Sequence, residues 1–440
     1  MQTNPLTKLR FWSSKRDSGH KLNPKSLWHI PLARQRATLT FRHWQYSNTS
    51  LEQMKKSKTS HCNRVAHLSV MILVIAAISG RDAQSQDNAS INTALESIRK
   101  VGKEGTGFSE AIPAANQLRQ TSAANINLLL NGMAGTNPVA ENWLRGVIFD
   151  VARKSTEPMA ADLQNYAMNQ SNNPKGRGLA MELLQKEAPQ TANKLITDCL
   201  NDPSLPLREM AVEQAIARAA AISKEQPDDA VADYRAALAA ARHPRQLTRI
   251  IKALEKLGKE VNTADAFVLL TDWQSLAPMD NVEGVGFKMQ YAPESEFQNA
   301  GAIDLKTEHD GKVGKIKWQP IAGSSDLGEV DLAEAYNKEK GAIAYLFAEF
   351  ESDQDRPAQA RLGCINANKI WINGKLIMQN EVYHSGSMID QYTADFPLKK
   401  GTNRILLKIC QNEQEESWAQ DWKFQFRITD PSGKGLASKP

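Results

Sequence analysis

Past residue 85, the side chains able to attack, move a proton or hold a metal are thinly spread. The histidines there are His243, His309 and His384, far apart and without a His-x-x-x-His pair. A helical zinc site needs two His one turn apart, so no metal and no cofactor is expected. The Gly-rich stretch GKEGTGF, Gly102 to Phe108, lacks the Gly-Lys-Ser/Thr ending with which a phosphate loop reaches a nucleotide. There is no Gly-x-Ser-x-Gly elbow for a serine nucleophile. ESDQDRP, Glu351 to Pro357, has acidic spacing suited to calcium but lacks the turn Gly and bidentate Glu of a calcium loop, and it reads as a solvated loop. Carboxylates are plentiful, yet glycoside hydrolysis needs two of them facing across a cleft, which spacing alone does not supply. No catalytic residue is assigned, and the reading is non-enzymatic.

Aromatic side chains in polar surroundings offer a different chemistry. Trp418 stands in NEQEESWAQD, Asn412 to Asp421, and Tyr383 and Tyr392 flank a polar loop around His384. Exposed rings cost hydration unless something covers them. A flat ring beside amides and acids suits the apolar face and the hydroxyls of a sugar, which makes Trp418, Tyr383 and Tyr392 the candidate ligand-binding residues. The competing reading of Trp418 is a ring folded back over a sheet edge.

KIWINGKLI, residues 369 to 377, raises the same choice between site and scaffold. Asn-Gly between apolar runs is a strong hairpin signal, because both residues adopt positive φ cheaply. Asn373 and Gly374 are therefore a structural turn.

The elements that must position these residues fall into two textures. From 86 to 262 the chain is Ala- and Leu-rich with apolar stripes at helical spacing, such as Trp143, Leu144, Val147, Ile148, Val151 and later Leu247, Ile250, Ile251, Leu254. Breaks at Asn137-Pro138, Asn173-Pro174, Asp202-Pro203, Gln226-Pro227 and His243-Pro244 divide it into helices. Cys199 falls on such a stripe and reads as core. PKGRGLAMELL from Pro174 and PLREMAVEQAI from Pro206 share Arg and Ala, with Arg177 to Arg208 and Ala180 to Ala211 each 31 apart. This resembles HEAT-type helical repeats; an ordinary helical bundle is the alternative.

From 263 to 433 strand signals take over. Trp422, Phe424, Phe426 and Ile428 alternate with Lys423, Gln425, Arg427 and Thr429, as a strand with one buried face requires. Ala342 to Phe350 and Arg404 to Ile409 are further strands, with Leu398 to Asn403 a tight connection. The expected fold is multidomain α plus β: an N-terminal α-helical repeat or bundle, then a C-terminal antiparallel β-sandwich, with a tail at 434–440. Lys369 to Lys375, Asp395 and Leu398 to Lys408 resemble the galactose-binding-like jelly rolls found as sugar-binding domains of β-galactosidases and as appended modules of secreted bacterial proteins. That resemblance implies an accessory binding role. Cys364 and Cys410 lie in strand-like runs of this region and are either a disulfide or two buried thiols.

The N-terminus bears on compartment. Residues 54–85 read as a signal peptide: Lys55, Lys56, Lys58 and Arg64 precede the uncharged stretch Leu68 to Ile78, and Ala83-Gln84-Ser85 offers small residues for cleavage. Eleven residues are too few to span a bilayer of about 30 Å as a helix, so no stable membrane span is expected after cleavage. Residues 1–53, disordered or preceding the true start, receive no function. The formal net charge of +5 misleads, because residues 1–83 carry 14 of the 54 Lys+Arg and 3 of the 49 Asp+Glu. The remainder is acidic, which removes the charge argument for nucleic acid. The expectation is a secreted or periplasmic, non-catalytic binding or scaffold protein whose partner is a polysaccharide or a cell-surface protein. A carbohydrate-active enzyme and a purely structural module are the alternatives.

Overall fold

A computed structural model describes residues 87–323 and 327–439. The signal-peptide segment 54–85 and residues 1–53 lie outside the described residues.

The helices are α1 (87–99), α2 (Phe108–Leu118), α3 (Ile126–Asn131), α4 (Pro138–Lys154), α5 (Ala160–Met168), α6 (Pro174–Glu187), α7 (Pro189–Thr197), α8 (Leu205–Ile222), α9 (Pro227–Ala240), α10 (Pro244–Lys256) and α11 (Thr263–Phe267). The Asn-Pro breaks start helices because Asn caps and Pro is pre-set for the first turn. The Asn137 side chain accepts from the amides of Val139 and Ala140 at 2.9 and 3.0 Å, and Asn173 accepts from Gly176 at 2.7 Å. Helices α2, α4, α6, α8 and α10 pack each against the next, while α5, α7 and α9 fill a second row against α6, α8 and α10. One apolar stripe per helix thereby meets two neighbours.

The two shared arginines meet at one turn. Arg177 is 1% exposed and grips both oxygens of Asp202 at 2.8 Å, together with the Ala167 carbonyl at 2.7 Å. Arg208 donates to the backbone carbonyls of Asp202 and Asn201 at 2.9 and 3.2 Å, with no carboxylate. The sequence likeness is real, but the side chains do different jobs.

The strands are β1 (Asp272–Asp280), β2 (Glu308–Gly311), β3 (Gly314–Lys317), β4 (Gln319–Ala322), β5 (Val330–Asp331), β6 (Ala342–Ser352), β7 (Arg356–Cys364), β8 (Ala367–Ile372), β9 (Lys375–Asn380), β10 (Tyr392–Leu398), β11 (Gly401–Gln411) and β12 (Lys423–Thr429). A six-stranded antiparallel sheet runs β4-β1-β6-β11-β8-β9, and a four-stranded one runs β10-β7-β12-β5. Between them lies a core of Trp273, Leu346, Phe350, Ile370, Leu407, Trp422, Phe424 and Phe426. The β8–β9 corner is the expected one: Asn373 has φ 50° and Gly374 φ 79°. The Asn373 amide donates to Asn403 Oδ1 at 3.0 Å and its Oδ1 accepts from the Arg404 amide at 2.8 Å, so this side chain buttresses the turn.

Two expectations need correction. β12 does not have one buried face: Gln425, Arg427 and Thr429 are 5%, 2% and 0% exposed. That face is covered by the end of α11 and by loops: Arg427 donates to the Phe267 carbonyl at 3.1 Å and pairs with Asp390, which Arg361 also holds, and Gln425 donates to the Leu327 carbonyl at 2.5 Å. Alternation reports the pleat; it does not report what covers the second face. The disulfide alternative for Cys364 and Cys410 is not realised either, since both are free and buried. Cys364 faces the core between the sheets, whereas Cys410, one residue past inward-facing Ile409, points to the opposite face of its sheet. Cys199 is core as expected, 1% exposed.

The outer face of the six-stranded sheet is covered by a turn at Val282–Phe287 and by α12 (Ala292–Ala300). Beneath them the Lys408 ammonium donates to Glu294 Oε1 at 2.6 Å and to the Met289 carbonyl at 2.8 Å, and Tyr345 OH donates to the same carboxylate. Sequence patterning gave no sign of this cover, because its helix is short and its buried rings, Phe287 and Phe297, fall in no regular stripe.

Candidate functional site

Strand directions gather the candidate residues at one end of the six-stranded sheet. The end of β1, the start of β6, the end of β11, the start of β8 and the end of β9 are neighbours there, as the pairs Asp280–Ala342, Gln411–Ala342, Cys410–Ala367 and Asn368–Asn380 show. From this end run the loops 381–391 and 412–422.

These loops rest on a buried layer of amides. Asn281, Asn366 and Asn368 are 0% exposed. Asn366 Nδ2 donates to Gln411 Oε1 at 2.9 Å, and Gln411 Nε2 reaches the Ala419 carbonyl at 3.3 Å, tying the root of the Trp418 loop to β11. Asn281 Nδ2 donates to the Gln411 carbonyl at 3.0 Å and to Tyr383 OH at 3.1 Å. Burial pushes the Tyr383 phenol up to about 12.

Above this layer the aromatic rings meet. His384, at φ 56°, places its Nε2 3.0 Å from Asn412 Oδ1. Asn412 Nδ2 donates to Gln414 Oε1 at 2.7 Å, which leaves the Asn412 oxygen facing the ring. Nδ1 is shut off from solvent and has no hydrogen-bond partner among the described residues, as is the case for Asn281 Oδ1. Trp418 stands edge-on to His384, with ring centroids 5.1 Å apart and planes at 87°, yet the indole is 57% exposed. The Tyr383 ring centroid lies 6.5 Å from that of His384.

The structure thus brings Trp418 and Tyr383 together through His384, which spacing alone did not reveal. Tyr392 is placed differently: it packs against the inter-sheet core, pairs with Leu362 on the smaller sheet, and its hydroxyl lies 3.4 Å from Ser385 Oγ. Of the amides, Asn281 follows the first strand of the stretch that resembles a galactose-binding-like jelly roll, but neither it nor Gln411 and Asn412 was read as part of a site; their signal was a position at or just past a strand end. Of the rim carboxylates, Glu413 accepts from the Glu283 amide and Glu381 pairs with Lys288 at 3.6 Å, while Glu415 and Glu416 stand exposed just before Trp418. No group of three or more His, Cys, Asp or Glu able to hold a metal occurs among the described residues, and in the 351–357 loop Asp353 is met by Arg356 and Lys439.

No family model and no curated protein matches the chain. Solved structures similar over part of it include a β-glucuronidase of Bifidobacterium dentium (12% identity, 32% of this chain and 20% of that chain, TM-score 0.21). A family 35 carbohydrate binding module from an environmental isolate aligns at 14% identity over 31% of this chain and 92% of the module, TM-score 0.19. An anti-sigma factor domain-containing protein from Clostridium clariflavum aligns at 11% identity over 39% and 45%, TM-score 0.20. The match spans a fifth of the β-glucuronidase's own length. At such scores these likenesses carry no argument about ligand, which has to come from the site.

Proposed function

We propose that the protein is exported and that the Trp418 end of its β-sandwich binds a polysaccharide without cleaving it. The observation that carries this reading is the half-exposed Trp418 ring standing on His384, above a buried layer of amides. An indole face left in water is costly for a monomer; the C–H face of a pyranose covers such a ring. The helical array then serves as the second surface, a repeat-like scaffold that holds the sandwich or meets a protein partner.

Incubation of the protein with soluble polysaccharides separates binding from cleavage. Retardation in affinity gels with no new reducing ends supports the reading. Release of reducing ends would make the protein a carbohydrate-active enzyme, and neither result would leave it a structural module.

A further inference from the structure

A crevice of about 500 Å³ lies where the helices meet the sandwich. One wall is α9, α10 and the chain through Val268; the other is the turn after β12, through Gly433, Lys434 and Gly435. Cationic side chains line it from both walls, Arg235 from α9, Arg242 from the link between α9 and α10, and Lys434 from the turn. Arg427 also lines it but is already matched by Asp390 and the Phe267 carbonyl. Among the lining residues the carboxylate is Glu260. Asp430 is near Arg242, but its Oδ1 is taken by the amides of Ser432 and Lys434 at 2.8 and 3.0 Å and by the Ser432 hydroxyl at 2.6 Å.

Arg242 is the centre of the arrangement. Its Nη1 donates to the carbonyls of Ala239, Ala240 and Ala241 at 2.9, 3.0 and 2.7 Å, where α9 ends. Its Nε is enclosed without an acceptor, and Nη2 has none among the described residues. Burial, and next the nearby Arg208, push the Arg242 pKa down, so the surroundings disfavour its charge as they stand. Cations converging on a partly dry crevice repel one another until an anion joins them. We propose that this junction crevice binds an oxyanion, a phosphate or sulfate group, held between Arg242 and Lys434 with Arg235 at the mouth. The bound group would bridge the helical array and the sandwich.

The test is calorimetric titration of the full chain with sodium phosphate and with sodium sulfate, against sodium chloride at matched ionic strength. Saturable binding of one or both is expected, and the two titrations tell which group is preferred. Arg235→Gln with Lys434→Gln, both at exposed positions, should weaken that binding about tenfold or more, the loss of two charged contacts, while polysaccharide retention stays unchanged. Arg242→Lys keeps a cation but loses the guanidinium fork and should weaken binding as well. No saturable heat with either anion would overturn the proposal. So would equal stabilisation of wild type and the double variant, which is the general effect of excluded kosmotropic salts.

Discussion

Lys408 and Glu294 form an ion pair with Nζ 2.6 Å from Oε1 and side chains 0% and 4% exposed. Burial drives the Lys408 pKa down, and Glu294 opposes that effect. A buried pair adds little net stability, but an orphaned partner is expensive. Lys408→Met is therefore expected to cost about 3–5 kcal/mol in urea unfolding, and Lys408→Met with Glu294→Leu less than that single change. A double variant worse than the single one would show that the pair itself, rather than the orphaned charge, is what matters.

The Asn373-Gly374 corner should behave as scaffold. Gly374 sits at φ 79°, and a Cβ there would come 3.1 Å from the Phe297 carbonyl. Gly374→Ala should destabilise by about 1–2 kcal/mol from the left-handed backbone alone. Polysaccharide affinity per folded molecule should not move; a selective loss of affinity would make the turn part of the site.

Asp390 supplies a pH dependence. Burial alone would raise its pKa, but hydrogen bonds and charge from Arg427, then Arg361, hold it below the ordinary aspartate value. The folded value is depressed, so the stabilisation is fully present above the unfolded pKa of about 3.9 and drains away as pH falls through the folded value. Asp390→Asn should lower the melting temperature at pH 7, and the gap from wild type should close in acid. A gap that stayed constant down to the acid transition would contradict the assignment.

Thiol chemistry checks the sheet geometry. Burial pushes Cys364 and Cys410 up to about 12 and Cys199 to about 11, so at pH 8 the folded protein should leave all three unreacted with a thiol reagent. In denaturant without reductant, peptide mapping should find all three alkylated. A recovered Cys364–Cys410 disulfide peptide would refute the placement of these residues on opposite sides of the larger sheet.

Much of the scaffold was legible because its signals are local. Asn137, Asn173 and Pro244 mark helix starts through capping and fixed φ, and Asn373-Gly374 marks a corner through positive φ. Trp422 to Ile428 marks a strand through the pleat. What escaped depends on contacts distant in sequence. Arg427 is buried because Phe267 lies 160 residues away in the chain. Cys410 and Cys364 are separated by the parity of strands that neither residue encodes. In the site, Trp418 was visible as a ring in a polar stretch, but Asn281 joins it only because β1 and β11 end together, 130 residues apart.

The most direct test of the saccharide site is titration of the polysaccharide that retains the wild-type protein into Trp418→Ala. With the indole 57% exposed, the account predicts a melting temperature within a few degrees of wild type and an affinity lower by about tenfold or more, since stacked rings are worth about 1–3 kcal/mol in discrimination at such sites. Unchanged affinity per folded molecule, with or without a fall in stability, would contradict it and return Trp418 to the role of a ring folded over the sheet edge.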